Sequence, residues 1–177
     1  MSRVLKPGTA IGQRFVIESA ARDGGMGTVY SGRDLVRGWM EALGLAVAVD
    51  PVGNVVGVWQ GTEPGAPVMT GSHIDTVATG GRYDGHYGVL AGLEALRRLD
   101  ERGLVLARPL MVAAFTNEEG VRFQPDMMGS LVHAGGLPLA QALDTRGTDG
   151  TRLGDELARI GYAGELPCGA IVPHAFV

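Results

Sequence analysis

Apolar residues recur along this chain with two different periods. In RDLVRGWMEALGL, residues 33–45, Leu35, Val36, Trp39, Met40 and Leu43 follow helical spacing, which predicts a helix stopped by Gly44. The same spacing returns over 86–102, where Val89, Leu90, Leu93, Leu96 and Leu99 share one broad face. Gly88 and Gly92 would let that helix lie close against a sheet. Residues 127–134 read as a short helix and 151–164 as another, ending near Gly161. The shorter apolar runs predict strands. LAVAVD at 45–50 and NVVGVWQG at 54–61 are separated only by a turn at Pro51 and Gly53, so they form an antiparallel pair. The segments 67–75 and 109–120 both begin apolar and end polar. RFVIES at 14–19 reads as a short strand, Asp23 to Gly27 as a turn, 61–67 and 76–85 as loops, and the closing apolar run as the start of a strand.

Strands alternating with helices predict an α/β fold, a three-layer sandwich. The close pair 45–50 and 54–61 makes a mixed sheet the expectation rather than a purely parallel one. Composition narrows the function. With 45% apolar and 19% charged residues in 177, the chain can build a core and does not read as disordered. Glycine, at 29 residues, falls in short bursts between apolar runs, as tight loops require. A net charge of -4 argues against a nucleic-acid partner, because phosphate backbones are held by clustered basic residues. The single cysteine, Cys168, allows no intramolecular disulfide and no cysteine metal cluster. No apolar stretch is long enough for a membrane span, and the N-terminus is too polar for a signal peptide, so a cytoplasmic protein is expected.

The chemistry lies at the polar ends of two strands. One supplies Ser72, His73 and Asp75; the other supplies Thr116, Asn117, Glu118 and Glu119. Ligands of open α/β sheets gather beyond the carboxyl ends of strands. Between the two in sequence lies Asp84, in a loop with Gly80, Gly81 and Gly85. Each feature alone has a plain explanation: a structural histidine, a solvated acidic turn, a turn-forming aspartate. Together, four carboxylates and an imidazole converging on one point would repel unless cations were present. That suits a two-metal hydrolase. His73 would ligate through one ring nitrogen, and Asp75 could hold the other. Asp84 could bridge two ions. One of Glu118 and Glu119 would bind metal and the other would take a proton from water. Zinc, manganese and cobalt all accept such a nitrogen and oxygen set.

The stretches GSHIDTVATGGRYDGHYGVLAGLEALRRL and AAFTNEEGVRFQPDMMGS resemble the amidase branch of the M20 metallopeptidases, which includes N-carbamoyl-L-amino-acid hydrolases, beta-ureidopropionases and allantoate amidohydrolases. The likeness runs from about Arg33 to Val177. It implies a truncated zinc-peptidase-like catalytic domain over 33–177, incomplete, preceded by a divergent segment, 1–32. It implies that His73, Asp84 and Glu119 ligate two divalent ions, zinc, manganese or cobalt, and that Glu118 is the general base with Asp75 orienting the histidine. The implied substrate is a small ureido or amide compound, opened at a C–N bond. Full-length members are larger and homodimeric, with further histidine ligands and a substrate-gripping arginine beyond this stretch, so the resemblance implies weak metal retention and little activity for this piece alone.

Two other readings stay open at this level. One is a non-catalytic remnant that binds no metal. The other is a nucleotide-binding module at Gly24 to Gly27, because 14–34 resembles the glycine-rich loop of serine/threonine kinases. Against it, Arg22 replaces the first glycine and no Val-Ala-x-Lys, HRD or DFG follows. Cys168 reads as a spectator, His133 as a helix-face residue, and Trp39 and Trp59 as core or interface aromatics. His86 lies beside the Asp84 loop, and a role facing the site is the less favoured reading for it.

Overall fold

The computed structural model describes residues 10–11, 15–16, 27–81 and 83–177. Two short antiparallel strands, β1 (Ala10–Ile11) and β2 (Phe15–Val16), form a small sheet of their own. Residues 23–26 of the expected turn, and residues 14 and 17–26 of the nucleotide-loop segment 14–34, lie outside the described residues, and Gly27 opens a helix. The main sheet has five strands: β3 (Ala46–Val49), β4 (Val55–Trp59), β5 (Val68–His73), β6 (Leu110–Phe115) and β7 (Ala175–Phe176). Their order is β3-β4-β6-β5-β7. β3 with β4 and β4 with β6 are antiparallel, while β5 is parallel to both β6 and β7. The mixed sheet is therefore as the pattern predicted.

Among the described residues five helices accompany it: α1 (Gly27–Ala42), α2 (His86–Glu101), α3 (Met128–His133), α4 (Leu139–Asp144) and α5 (Leu153–Arg159). α1 begins before the expected Arg33 and so crosses the expected boundary at 32–33. α4, with 6 residues, is too short to show a helical period in the sequence. No helix is long and apolar enough to cross a membrane among the described residues.

The β3–β4 turn is built by Asp50, whose carboxylate accepts the N–H groups of Val52 (3.1 Å) and Asn54 (2.9 Å), with Gly53 at φ 86. Asn54, fully buried, then reaches outward in three directions. Its Nδ2 donates to Asp50 Oδ2 (2.8 Å) and to the Gly129 carbonyl (3.0 Å), and its Oδ1 accepts the Thr116 N–H (2.9 Å). One side chain thus ties the hairpin to the end of β6 and the start of α3.

The two faces of the sheet are covered differently. Val55, Val112 and Ala114 pack with Val36 and Met40 of α1, Val89, Leu93 and Leu96 of α2, and apolar residues of α3 to α5. On the other face Val56, Met69, Met111, Ala113 and Phe115 form a second cluster, against which Leu166 and Ile171 pack. Among the described residues the helices contribute to the first cluster, while Leu166 and Ile171, from an irregular segment, pack on the second. Strand and helix alternation predicts helices, but it does not say on which face each crossover returns.

Close packing of α2 on β5 follows from its glycines. A Cβ on Gly88 would lie 2.7 Å from Ser72 Cβ, and one on Gly92 2.7 Å from Thr70 Cγ2. The parallel register of β5 with β6 pairs His73 with Phe115. Both strands therefore end at the same level, and their polar tails emerge side by side.

On the outer side, Glu156 of α5 accepts from Arg159 Nη2 (3.0 Å) and Arg122 Nη1 (2.8 Å). The Arg159 bond, then the Arg122 bond, holds the Glu156 carboxyl down to about 2 from an ordinary 4.5. A depressed carboxylate stabilises the fold above its unfolded pKa and loses that contribution as pH falls toward its folded value. Glu156→Gln is accordingly expected to cost about 1–3 kcal/mol at pH 7, the scale of hydrogen bonds to charged groups. In denaturant titrations the gap to the parent protein should close as pH falls from about 4.5 toward 2. A gap constant over that window would contradict the assignment.

Candidate metal centre

His73 is the last residue of β5 and is buried, with 5% of its surface exposed. Its Nδ1 lies 2.9 Å from the backbone carbonyl of Asp75. A carbonyl only accepts, so Nδ1 carries the hydrogen and Nε2 is the free ring nitrogen. Nε2 faces carboxylates: Glu118 Oε2 at 3.3 Å and Asp84 Oδ1 at 3.7 Å.

Adjacent residues of a regular strand point to opposite faces, so Glu118 and Glu119 need a break in the strand to share a site. Asn117 provides it, with a left-handed φ of 52. Asparagine tolerates that region better than most residues. Its Nδ2 donates to the carbonyls of Phe123 (2.8 Å) and Pro125 (3.2 Å), which fastens the turn across the following loop. Met127 N–H returns to the Glu118 carbonyl at 2.7 Å and Gly129 N–H to that of Thr116 at 2.8 Å, closing the loop onto α3.

Asp75 acts differently from the sequence expectation. The His73 ring bonds to its carbonyl, and the carboxylate stays 3.8 Å from Nδ1. That carboxylate instead accepts the N–H groups of Glu118 (3.3 Å) and Glu119 (3.1 Å). It therefore clamps the end of β6 to the end of β5.

His73, Glu118 and Glu119 each offer a ligand atom, and these atoms lie within 4.8 Å of one another. One divalent ion fits such a cluster. Two observations favour it. The first is the Nε2 lone pair aimed at carboxylate oxygens, an arrangement that asks for a positive centre between them. The second is Glu119 Oε1, which is buried with no hydrogen-bond partner. A buried acceptor left unpaired is costly, and a cation satisfies it. Burial first, then the negative charge of Asp84, pushes the Glu119 carboxyl up. Asp84 sits in the loop before α2 with its side chain 53% exposed, at the mouth of the cluster.

The structure thus places His73, Asp75, Glu118 and Glu119 at the ends of β5 and β6, with Asp84 reaching His73 from the loop before α2. His86 donates its Nδ1–H to the Asp84 carbonyl (2.9 Å) and is not in the ligand cluster. His133 packs edge-on against Phe115 at 5.8 Å. Cys168 packs against the core, and its burial pushes the thiol up to about 11, which suits a spectator. Trp39 and Trp59 pack at the core margin.

A family model described as Peptidase family M28 matches residues 54–141. The N-carbamoyl-L-amino-acid amidohydrolase of Rhizobium meliloti is 44% identical over 146 residues, covering 82% of this chain and 35% of that protein. The ureidoglycolate hydrolase of Arabidopsis thaliana is 44% identical over 136 residues, covering 75% of this chain and 29% of that protein. A crystal structure of an amidase of the hydantoinase/carbamoylase family from Burkholderia multivorans aligns with a TM-score of 0.81 at 47% identity, covering 83% of this chain and 36% of that one. The chain resembles the hydantoinase/carbamoylase amidohydrolases. It spans about a third of the length of the curated relatives it matches. The matched family model is M28 where the motifs resemble M20, so the likeness to hydantoinase/carbamoylase amidohydrolases is carried at the level of a related catalytic domain.

Several residues that build the centre carried no assigned role in the sequence. Asn117 stood in the polar strand end, but its left-handed turn cannot be read from one letter. Gly85 was read as a loop glycine; at φ 73 it lies against the His73 ring, where a Cβ would come within 2.5 Å of Cε1 and Nδ1. The pair Asp50 and Asn54 flanks a turn, and nothing local reveals that Asn54 reaches Thr116.

Proposed function

We propose that this chain is the metal-bearing part of an amidohydrolase of the M20 amidase branch, hydrolysing the C–N bond of a linear ureido or amide compound such as an N-carbamoyl-L-amino acid. The observation that carries the reading is the free Nε2 of His73 set among carboxylate oxygens, with Glu119 Oε1 buried beside it and unpaired. On this reading the zinc-peptidase-like catalytic region covers 33–177, 1–32 is a divergent lead-in, and the complete protein works as a homodimer.

His73, Asp84 and Glu119 would hold two divalent ions of zinc, manganese or cobalt, which leaves Glu118, the third member of the cluster, free to act as the base. When bound, the ions polarise the substrate carbonyl and make water acidic enough to attack at neutral pH. Glu118 takes the proton of the attacking water on a carboxylate oxygen. The water oxygen bonds to the carbonyl carbon, the C–N bond breaks, and Glu118 returns the proton to the leaving nitrogen. Its backbone N–H, held by Asp75, fixes the position from which it does so. For an N-carbamoyl amino acid the products are the free amino acid and a carbamate that decays to carbon dioxide and ammonia.

The test is calorimetric titration of chelator-treated protein with Mn²⁺ and Zn²⁺, followed by ammonia release from N-carbamoyl-L-amino acids, ureidopropionate and allantoate. Stoichiometric uptake with chelator-sensitive ammonia release, however slow, supports the reading, and a ratio of two ions per chain supports the bridging role of Asp84. A protein that takes up neither ion is the non-catalytic alternative.

A further inference from the structure

Glu118 and Glu119 sit on a loop that is also fastened at its far side, away from the metal cluster. Arg122 does the fastening. Its Nη1 donates to Glu156 Oε2 of α5 at 2.8 Å, and its Nη2 to Asp149 Oδ2 at 2.6 Å and Thr151 Oγ1 at 2.7 Å. Its backbone carbonyl accepts the Thr148 N–H at 3.0 Å. A planar fork held at three acceptors has little freedom left in position or torsion. The Asp149 carboxyl is held near 2, by Thr151 first and then by Arg122, and the Glu156 carboxyl near 2, by Arg159 first and then by Arg122. The guanidinium also lies 5.0 Å over the ring of Phe123, which is 3% exposed. The carbonyl of that same Phe123 accepts the Nδ2–H of Asn117, the left-handed residue immediately before the two glutamates.

We propose that Arg122 is a positioning residue for the metal centre: by fixing the Phe123 carbonyl it holds Asn117 in its left-handed turn, and so sets where Glu118 and Glu119 present their oxygens. This rests on the metal-dependent hydrolase reading and extends it to a contact made outside the site, between the glutamate loop and α5. A brace that merely stabilised α5 would need the bonds to Glu156 and Asp149. It would not need the residue next in the chain to hold the turn from which both glutamates spring.

The test is a double-mutant cycle on Mn²⁺ affinity with Arg122→Met, Asn117→Ala and the pair, together with amide hydrogen exchange in metal-free protein. If Arg122 acts through Asn117, Arg122→Met weakens Mn²⁺ binding by about tenfold, the scale of changes to groups that orient metal ligands. The double variant then binds no more weakly than Asn117→Ala alone, because the two act in series. Arg122→Lys, which keeps the charge without the fork, recovers part of the loss. In metal-free protein the amides of Glu118 and Glu119 exchange several-fold faster in Arg122→Met, while that of Val112 in β6 does not change. Additive losses in the cycle, or exchange at Glu118 and Glu119 equal to the parent's, would overturn the proposal. If the parent takes up no divalent ion, the hydrolase reading falls, and the exchange comparison alone decides whether Arg122 positions the turn. Should Arg122→Met fail to fold, Arg122→Lys carries the same measurements, with loss at both readouts as the supporting result and parent-like values as the overturning one.

Discussion

Gly85→Ala is expected to weaken divalent metal binding severely without removing a single ligand atom. Gly85 has φ 73, and an added Cβ would fall 2.5 Å from Cε1 and Nδ1 of His73 and 2.6 Å from its carbonyl. The ring and the backbone of His73 cannot both give way, because Nδ1 is tied to the Asp75 carbonyl and the strand is paired with β6 through Phe115. The ring must swing, and Nε2 leaves the glutamates. A loss of Mn²⁺ affinity of about 100-fold or more is expected, at or beyond the upper end for residues that orient ligands. Stability should fall by about 2–3 kcal/mol from overpacking and left-handed strain together. Gly81→Ala, in the same loop, is the control. Its Cβ would lie no nearer than 3.8 Å to Asp84 Cβ, an ordinary contact, so affinity should stay close to the parent's. His73→Ala sets the scale, since it removes the nitrogen itself. Should Gly85→Ala bind Mn²⁺ as the parent does, the account of how His73 is aimed would be wrong.

The contrast between those glycines shows what the sequence could reveal. The periods of 3.6 and 2 exposed α1, α2 and the strands, because each of those elements buries one face and the pattern records it. The polar strand ends were legible for a related reason: His73, Asp75, Glu118 and Glu119 break otherwise apolar runs. Their meeting depends on register, which pairs His73 with Phe115, and no local pattern fixes that. What stayed hidden were contacts made by backbone groups across long separations. Asp75 was legible as a carboxylate near a histidine, yet it bonds to the N–H groups of Glu118 and Glu119, 43 and 44 positions away. α4 stayed hidden because a helix of 6 residues shows too little of its period. What packs on the second face was beyond reach as well, since amphipathicity says that a face is covered and not by what.

Asn54→Leu is the second large effect, and it should act on the fold before it acts on the site. The substitution keeps roughly the volume and removes three bonds at once, leaving the Thr116 N–H and one oxygen of the buried Asp50 carboxylate without that partner and the Gly129 carbonyl with its helical bond alone. Each unsatisfied buried group costs about 1–3 kcal/mol, so a total near 3–5 kcal/mol is expected after relaxation. The pH dependence separates this account from a simple packing defect. Burial already raises the Asp50 carboxyl in the folded protein, against the opposing bonds from Asn54. An acid whose folded pKa lies above its unfolded one binds its proton more tightly in the folded state, so it lowers stability as pH rises past the unfolded value of 3.8. Removing the Asn54 amide raises the folded value further. The deficit of Asn54→Leu should therefore be smallest near pH 4 and grow toward neutrality, whereas a packing defect costs the same at every pH. Because Asn54 also holds the Thr116 N–H, one residue before Asn117, metal affinity should fall at pH 7 even where the variant remains folded. Chemical denaturation at several pH values, with Mn²⁺ titration of the folded variant, measures both, and a deficit independent of pH would remove Asp50 from the explanation.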